Sequence, residues 1–351
     1  MPQRVESAGG KAVRSAGAAV RTAAPAGRLR RSDPSRPGYG RRRRGRSFSY
    51  LDIDGRPLGT DEVLRIKALV IPPAWTDVWI CPHPNGHIQA TGIDAAGRKQ
   101  YLYHRRWREK RDEAKFDHVL EVGRHLPGLR KRVAEDLGER GLCRSRVLAA
   151  IARLLDMGMF RVGSDEYAAG EEPTFGLATL RPEHARRRGD CVVLEFPAKG
   201  GIEQVRQIGA PEVCSVLVDL RRRRRGAERL FAYWTGRDWR DVRADDVNGY
   251  LRESSGTEMT AKDFRTWHAT VLAARRLAAA GPSRAETARR RAVAGVMREV
   301  SELLGNTPTV ARASYVDPRI LDLYADGKLL RMPTEAPAGE VESAVLELLS
   351  D

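Results

Sequence analysis

Apolar and polar residues alternate between residues 48 and 103, and from about residue 104 onward the apolar positions recur at helical spacing. The alternation predicts short strands at 78–81, 87–92 and 99–103, because period-two patterns bounded by Gly and Pro are typical of sheets. Asp54-Gly55 adds a hairpin turn signal after another short apolar stretch. The folded part of the chain therefore begins with a small sheet domain.

The later part of the pattern predicts a larger, mainly helical domain that contains one more hairpin. Its apolar strands, at 191–196 and 201–207, flank a turn that contains Lys199. Pro127 is expected in the first turn of a helix, where its missing N–H costs nothing. The predicted helices cover residues 104–117, 119–125, 127–137, 143–155, 211–223, 245–254, 260–280, 284–304 and 307–314, and a final acidic amphipathic segment covers 341–349.

These elements predict an α+β fold in which a small N-terminal β-sheet domain precedes a mainly helical domain. The expected divisions are a disordered basic tail (1–47), a β-rich domain (48–118), a helical domain (119–330) and a C-terminal tail (331–351). The first tail is rich in Ala, Gly, Ser, Pro and Arg without apolar periodicity, which is typical of disorder. Its Arg-rich, acid-poor sequence also resembles an organellar transit peptide.

The charge balance indicates a polyanionic partner. The chain contains 62 Lys and Arg against 46 Asp and Glu, a formal net charge of +16 at pH 7. Residues 1–47 hold thirteen basic and two acidic residues, so the remainder carries only +5. Neutralising phosphates with Lys and Arg releases condensed counterions, which favours DNA as the partner. The basic run 104–108 fits either a DNA-facing surface or a solvated helix face, and the run 221–225 is typical of an exposed helix end.

Hydrophobic residues make up 41% of the chain, and no apolar run approaches the roughly 20 residues of a membrane span. The four cysteines lie far apart without a CxxC pair, which indicates free thiols in a reducing compartment. Cys81, His83 and His87 could be read as metal ligands, but no second ligand group lies at the spacing of a zinc site. We expect a soluble cytoplasmic protein without a cofactor.

Tyr315 lies nine residues after Asn306, in a segment with clear local signals. Gly305 is expected to end one helix in the left-handed conformation, and Thr307-Pro308 supply the N-cap and first turn of the next. Asn306 is therefore held in a tight turn. Taken alone, a tyrosine after a short helix is more often part of a core or a surface than of a catalytic site.

Three basic residues lie beside structured positions elsewhere in the chain. Arg161 and Arg265 each follow a phenylalanine, so each arginine emerges next to a core position. An ordinary surface ion pair is the more common role for either arginine alone. Lys199 occupies the tip of the second hairpin, where most lysines are simply solvated.

Several blocks that contain these residues follow one another in a fixed order: 71–80 (IPPAWTDVWI), 87–92 (HIQATG), 97–103 (GRKQYLY), 160–163 (FRVG), Lys199, 262–266 (KDFRT), 305–307 (GNT) and Tyr315. In content and order they resemble the type IB DNA topoisomerases, most closely the compact poxvirus-like and bacterial members. The resemblance covers roughly residues 48–330. A chance match of one motif does not explain so many blocks in family order.

The resemblance implies a helical catalytic domain of the kind found in type IB topoisomerases and tyrosine recombinases. The active-site residues that it implies are Arg161, Lys199, Arg265, Asn306 and Tyr315. Poxvirus and nuclear enzymes have His at the position of Asn306, whereas bacterial relatives resemble this chain in having Asn. The resemblance also implies that the sheet domain contacts DNA through Gln100, Tyr101 and Tyr103.

The implied reaction is relaxation of supercoiled duplex DNA through a 3′-phosphotyrosine, without ATP or a metal. Tyr315 would attack a phosphodiester and expel a 5′-hydroxyl, which later reverses the step. Arg161 and Arg265 suit the anionic phosphate because guanidinium groups are planar and permanently charged. Lys199 is the implied general acid, and Asn306 would donate an amide hydrogen bond that does not titrate near neutral pH.

Two other functions remain open from the sequence. A tyrosine recombinase shares the helical catalytic fold, but usually carries an HxxR block where this chain has Lys262 at the first position, and its N-terminal domain is helical. A non-catalytic DNA-coating protein would depend on the basic tail at 1–47. For the leading hypothesis we expect a monomer on duplex DNA, in the bacterial cytoplasm and associated with the nucleoid.

Overall fold

The structure of this protein is a computed structural model that describes residues 28–158, 160–169, 171–189, 191–223, 228–331 and 336–350. The chain forms two compact units, Met1–Glu113 and Ala114–Asp351. The boundary expected from the sequence, after residue 118, lies slightly further along. Both positions fall inside one long helix, Arg105–Leu137.

The first unit contains β1 (Tyr39–Arg44), β2 (Ser47–Leu51), α1 (Thr60–Ala68), β3 (Thr76–Ile80), β4 (Ile88–Ile93) and β5 (Lys99–Tyr103). The strands form one antiparallel sheet in the order β2-β1-β3-β4-β5. Its small core includes Tyr50, Ile66, Ile80 and Ala90. The N-terminal sheet predicted from the alternating pattern is confirmed, because period-two side chains alternate between core and solvent.

Residues 39–44 form a strand, so the prediction of a disordered tail over 1–47 is wrong for this part. β1 pairs with both β2 and β3 and therefore lies inside the sheet. The Arg41 guanidinium donates to three backbone oxygens, those of Ile71, Pro72 and Trp75, at 2.7–3.2 Å. Composition missed this strand because arginines occupy positions where apolar residues normally reveal one. Residues 1–27 lie outside the described residues.

The segment before β1 is held to the sheet through two of the residues considered as metal ligands. The Sγ atom of Cys81 lies 3.6 Å from the hydroxyl oxygen of Ser32. The Nδ1 atom of His87 accepts a hydrogen bond from the backbone N–H of Ser32 at 2.8 Å. Cys81 and His87 thus have a structural role in this unit.

The elements after residue 104 are α2 (Arg105–Leu137), α3 (Arg144–Gly158), α4 (Asp165–Ala168), β6 (Ala185–Arg188), β7 (Cys191–Ala198), β8 (Ile202–Ile208), α5 (Pro211–Arg222), β9 (Ala232–Trp234), β10 (Trp239–Asp241), α6 (Ala244–Ser255), α7 (Ala261–Ala280), α8 (Glu286–Leu304), α9 (Pro308–Ser314), α10 (Pro318–Ala325) and α11 (Ala338–Ser350). The strands β6, β7 and β8 form an antiparallel sheet, and β9 pairs with β10. Phe231, Phe264 and Trp267 are among the largest fully buried side chains. The mainly helical second domain is confirmed.

Residues 105–137 form a single helix of 33 residues, which corrects the prediction of three helices and places Pro127 inside α2. Proline lacks an N–H and usually breaks or kinks a helix. Val122, Leu126 and Leu129 are nevertheless buried on both sides of it. The apolar stripe continues through the proline, and its packing outweighs the lost hydrogen bond.

The last helix, α11, corrects the prediction of a C-terminal tail at 331–351. It packs against α7, with Val341, Val345 and Leu349 buried in the main core. The amphipathic pattern indicated a helix at 341–349. Its packing against α7 shows that this helix is part of the second unit. None of the helices in the described residues is both long and apolar enough to cross a membrane.

A partly buried ion cluster joins α2, α3, α7 and α11. The Arg130 guanidinium lies 2.8 Å from the carboxylate of Asp156 and 2.6 Å from that of Glu342. The Nε2 atom of His268 lies 3.0 Å from Oδ1 of Asp156. Burial alone would raise the pKa of Asp156, but the hydrogen bonds and charges of Arg130 and His268 hold it well below its usual value. The cluster therefore couples α11 to the helix α7.

We expect Asp156→Asn to lower the free energy of unfolding by about 3 kcal/mol, because it removes part of the charge that compensates the Arg130 guanidinium. The wild-type protein should also lose this contribution progressively as the pH falls below about 4. A carboxylate with a depressed folded-state pKa stabilises the fold fully above its unfolded pKa and loses this effect as the pH falls toward its folded pKa. Chemical denaturation at several pH values measures both effects.

The exposed ion pair of Glu121 and Arg124 supplies the control. Glu121→Gln should change the free energy of unfolding by less than about 1 kcal/mol, because water solvates both partners. Equal losses for Asp156→Asn and Glu121→Gln would contradict the stabilising role of the ion cluster.

Candidate active site

Arg161 lies between α3 and α4, in a segment fixed by close backbone contacts. Its carbonyl oxygen accepts a hydrogen bond from the N–H of Leu177 at 3.0 Å. Gly163 has a φ of +89°, and a Cβ atom added to Gly176 would clash with the backbone nitrogen of Gly163. These two glycines permit an approach that other residues would prevent, and this approach positions the backbone of Arg161.

Arg265 projects from the N-terminal part of α7 and is only 4% exposed. The helix begins with a capping box, in which the N–H of Thr260 donates to the carboxylate of Asp263 at 2.8 Å. The Nη2 atom of Arg265 donates to the carbonyl oxygen of Leu304, the last residue of α8, at 2.7 Å. Burial, together with the charge of Arg161, lowers the pKa of Arg265 to about 10, so the group remains a cation at neutral pH.

The turn that holds Asn306 has the geometry predicted from the sequence. Gly305 ends α8 in the left-handed conformation with a φ of +60°. Thr307 caps α9, since its hydroxyl oxygen accepts a hydrogen bond from the N–H of Val310 at 3.3 Å. Asn306 is therefore fixed between the end of one helix and the start of the next.

Only one of the two polar atoms in the side-chain amide of Asn306 has a hydrogen-bond partner among the described residues. Its Oδ1 atom accepts a hydrogen bond from Nη2 of Arg161 at 3.0 Å. Its Nδ2 atom is buried and has no hydrogen-bond partner among the described residues. Since a buried donor without a partner is costly, the arrangement favours a ligand acceptor at this position.

Tyr315 is the C-cap residue of α9 and is 8% exposed. The Cζ atom of Arg265 lies 5.3 Å from the centroid of its ring, and the same guanidinium forms a hydrogen bond with the phenol. Burial alone would raise the pKa of the phenol, but the charges of Arg265 and Arg161 outweigh this effect and lower the pKa below its usual value. The phenol therefore ionises more readily than that of a free tyrosine.

Lys199 lies at the exposed tip of the β7–β8 hairpin, as the sequence predicts. Gly200 and Gly201 form the turn with φ values of +83° and +70°. Lys199 lines one small pocket together with Arg161 and Arg265. Its exposed side chain thus borders the same pocket as the two arginines.

The structure brings Arg161, Arg265, Asn306 and Tyr315 into one connected cluster, with Lys199 on the wall of the adjoining pocket. Arg161, Lys199 and Arg265 come from segments far apart in the sequence, whereas Asn306 and Tyr315 share one short segment. These residues do not lie on separate faces of the protein, an arrangement that would have ruled out a shared phosphate site. The cluster contains two cations, a phenol with a lowered pKa and an amide donor without a partner, which together suit a phosphodiester.

Lys262 also acts on the phenol, a role that the sequence analysis did not assign to it. It is exposed near the start of α7, and its charge contributes to the lowered pKa of Tyr315. The sequence analysis used Lys262 only as part of the 262–266 block and as the residue that stands where recombinases have the His of their HxxR block. Its spacing of three residues from Arg265 was the available signal, because residues at i and i+3 share one helix face.

The three residues predicted to contact DNA from the first unit lie on β5. Tyr101 and Tyr103 are 41% and 38% exposed, and their rings stack with centroids 6.0 Å apart. Lys99 lies beside them, with Nζ 5.9 Å from the centroid of the Tyr101 ring. The Nε2 atom of Gln100 instead donates to the carboxylate of Asp94 at 2.8 Å. Two of the three residues are therefore accessible, and the third already has a partner within its unit.

Comparisons with known proteins match both parts of the chain to one family. A family model described as the catalytic core of eukaryotic DNA topoisomerase I matches residues 104–325, and one described as the N-terminal domain of bacterial DNA topoisomerase IB matches residues 47–94. The chain is also 29% identical over 299 residues to the DNA topoisomerase 1B of Acanthamoeba polyphaga mimivirus, a match that covers 82% of this chain and 87% of the viral protein. The first family model spans all five residues of the cluster and its pocket.

We expect Arg265→Gln to shift the ionisation of Tyr315 to higher pH, because the substitution removes the nearest cation from the phenol. The difference in ultraviolet absorbance between proteins with Tyr315 and with Phe at this position, recorded during a pH titration, isolates this one phenol. Arg276→Gln, on the same helix but in an exposed ion pair with Glu299, should leave the ionisation unchanged. An unchanged titration in Arg265→Gln would show that the guanidinium does not act on the phenol.

Proposed function

We propose that this chain, which belongs to the type IB DNA topoisomerase family, relaxes supercoiled duplex DNA by cutting and rejoining one strand through a covalent bond to Tyr315. DNA topoisomerase activity follows from the family, and the covalent route through named residues is our proposal. The observation that carries it is the buried, unpartnered Nδ2 atom of Asn306, beside two guanidinium groups and a phenol with a lowered pKa.

The charge distribution supports a phosphodiester as the ligand. Arg161 lowers the pKa of Arg265, which means that the two guanidinium groups repel each other. An anion between them would relieve this repulsion, and a phosphodiester gains further negative charge on its non-bridging oxygens as it reacts. Asn306 would donate to one of these oxygens without titrating, since an amide has no pKa near neutrality.

The reaction proceeds in one reversible exchange. The Tyr315 phenol releases its proton to solvent and its oxygen attacks the phosphorus. The bond from phosphorus to the 5′-oxygen breaks, and a 3′-phosphotyrosine forms. Lys199 gives a proton to the departing 5′-oxygen, which would otherwise leave as a poor alkoxide, and such a donor typically contributes roughly 10²–10⁴-fold. Later the 5′-hydroxyl returns its proton to Lys199 and attacks the phosphotyrosine. The bond from phosphorus to Tyr315 breaks, and the phenolate regains a proton from solvent.

The exchange requires no external source of energy, because one phosphodiester bond is replaced by another of the same kind. Between cutting and rejoining, torque in the DNA rotates the free strand and removes supercoils. The guanidinium groups of Arg161 and Arg265 supply the positive charge that stabilises the reacting phosphate. We therefore expect relaxation without ATP and without a divalent metal.

The first unit would supply further DNA contacts. Tyr101 and Tyr103 form an exposed aromatic pair next to Lys99, a combination that suits bases and phosphates. Gln100 would reach DNA only after leaving the carboxylate of Asp94. We infer a monomer that acts on chromosomal DNA in the bacterial cytoplasm, as part of the nucleoid.

Neither alternative function accounts for both units. A tyrosine recombinase would share the cluster around Tyr315, but its N-terminal domain is helical, whereas the first unit here is a five-stranded sheet. A DNA-coating protein would need the basic segment but would have no use for a phenol with a lowered pKa between cations. The topoisomerase proposal uses the sheet and the cluster together.

Replacing Tyr315 by Phe should abolish both the covalent adduct and the relaxation of supercoiled plasmid, while DNA binding remains, because only the attacking oxygen is lost. Denaturing the protein during the reaction with plasmid and mapping the attached residue tests this directly. Tyr324→Phe, which removes the hydroxyl of another buried tyrosine, is the matched control and should still form the adduct. Relaxation near the wild-type rate by Tyr315→Phe would contradict the proposal.

Lys199→Ala should slow cleavage by roughly 10²–10⁴-fold on ordinary DNA, since the 5′-oxygen loses its proton donor. On DNA with sulfur in place of the bridging 5′-oxygen, the deficit should largely disappear, because a thiolate leaves without a proton. The rate of adduct formation on both substrates measures the effect, with the exposed Lys328→Ala as control. An equal deficit on both substrates would assign Lys199 to binding and not to proton transfer.

A further inference from the structure

The hydroxyl of Thr270 contacts the backbone of Tyr315 from inside the protein. Thr270 lies in α7 and is 1% exposed. Its Oγ1 atom donates to the carbonyl oxygen of Tyr315 at 3.3 Å and accepts a hydrogen bond from the N–H of Asp317 at 3.1 Å. One hydroxyl thus connects both ends of the short segment between α9 and α10.

This contact departs from the usual behaviour of a threonine within a helix. Such a hydroxyl commonly donates to the carbonyl oxygen four residues earlier in its own helix. Thr266 does so, since its Oγ1 atom lies 3.4 Å from the carbonyl oxygen of Lys262. Thr270 is equally buried one turn later, but its hydroxyl is directed to another segment of the chain.

The same helix therefore contacts Tyr315 at two places. Arg265 acts on the ring and the phenol, and Thr270 acts on the backbone carbonyl oxygen. The two residues are separated by about 7.5 Å along the axis of α7, at a rise of about 1.5 Å per residue. This separation is comparable to the length of a tyrosine side chain. Contacts from α7 therefore hold Tyr315 both at its backbone and at its phenol.

We propose that Thr270 is a positioning residue for the nucleophile. Its hydroxyl holds the backbone of Tyr315 so that the phenol oxygen is in line for attack on the phosphate. The inference rests on the proposed function, because it takes Tyr315 as the nucleophile. A displacement of about 1 Å in a reacting group can cost about 10²-fold in rate, even when binding is unchanged. Loss of the hydroxyl should therefore slow bond formation without weakening the hold on DNA.

Three variants separate positioning from simple burial. Thr270→Val keeps the shape of the side chain and removes both hydrogen bonds, whereas Thr270→Ser keeps the hydroxyl. Thr266→Val makes the same chemical change at an equally buried threonine of the same helix, whose hydroxyl bonds to a carbonyl oxygen of its own helix instead of to Tyr315. The initial rate of covalent adduct formation on supercoiled plasmid, with enzyme in excess, is compared with the melting temperature. Plasmid affinity is measured for each variant combined with Tyr315→Phe, which removes covalent capture.

We expect Thr270→Val to form the adduct about 10–100-fold more slowly, with plasmid affinity within about 2-fold of its parent. Thr270→Ser should restore most of the rate, and Thr266→Val should remain within about 3-fold of the wild-type rate. A wild-type rate in Thr270→Val would overturn the inference. The inference is also overturned if Thr270→Ser forms the adduct as slowly as Thr270→Val. It is overturned as well if the rate of adduct formation, the plasmid affinity and the melting temperature all fall to the same extent in Thr270→Val and Thr266→Val.

Failure of the proposed function has a different signature. In that case the wild-type protein forms no adduct, or the adduct maps to a residue other than Tyr315, and the positioning role falls with it. An adduct at Tyr315 in the wild-type protein together with a fast Thr270→Val variant would leave the function intact and overturn only the role of Thr270.

Discussion

The site depends on the burial of one cation, the guanidinium of Arg265, against the phenol of Tyr315. A buried charge is costly unless its hydrogen-bonding groups have partners. Here the carbonyl oxygen of Leu304 accepts one hydrogen bond, and the phenol forms another. The burial that lowers the pKa of Arg265 also reduces the screening of its charge by water. The guanidinium therefore interacts strongly with the phenol and lowers the pKa of Tyr315. Without this pair, the phenol of Tyr315 would ionise less readily.

The end of α8 positions two members of the cluster at once. A helix leaves its last carbonyl groups without intrahelical partners, and the one on Leu304 anchors Arg265. One residue later, Gly305 turns the chain in the left-handed conformation and directs Asn306 toward Arg161. A single helix terminus therefore fixes both a cation from α7 and an amide from its own turn, which explains why residues so distant in sequence keep a constant geometry.

The parts of this arrangement that could be predicted from sequence are those with local signals. The alternating pattern predicted the first sheet, and the glycine and threonine around Asn306 predicted its turn. The strand that contains Arg41 was missed because its partners are backbone oxygens, which leave no pattern in the sequence. The continuity of α2 through Pro127 and the docking of α11 depend on packing between distant segments. For the site, ordered motifs identified the residues, but the link from Thr270 to Tyr315 has no signal at all, since a buried threonine looks the same whichever carbonyl it contacts.

Asn306 decides how the site responds to pH. The two ends of an amide differ in chemistry, and the hydrogen bond from Arg161 requires the oxygen on its side, so the NH₂ group must face the other way. A histidine at this position would offer its donor through a ring nitrogen whose protonation changes near neutrality. With Asn306 the donor is permanent, and Arg265 remains charged at neutral pH. The phenol of Tyr315, ionising below its usual pH, is then left as the member of this cluster whose charge depends on pH on the way to attack. The hydrogen-bond donor at position 306 therefore adds no titration of its own to that of the phenol.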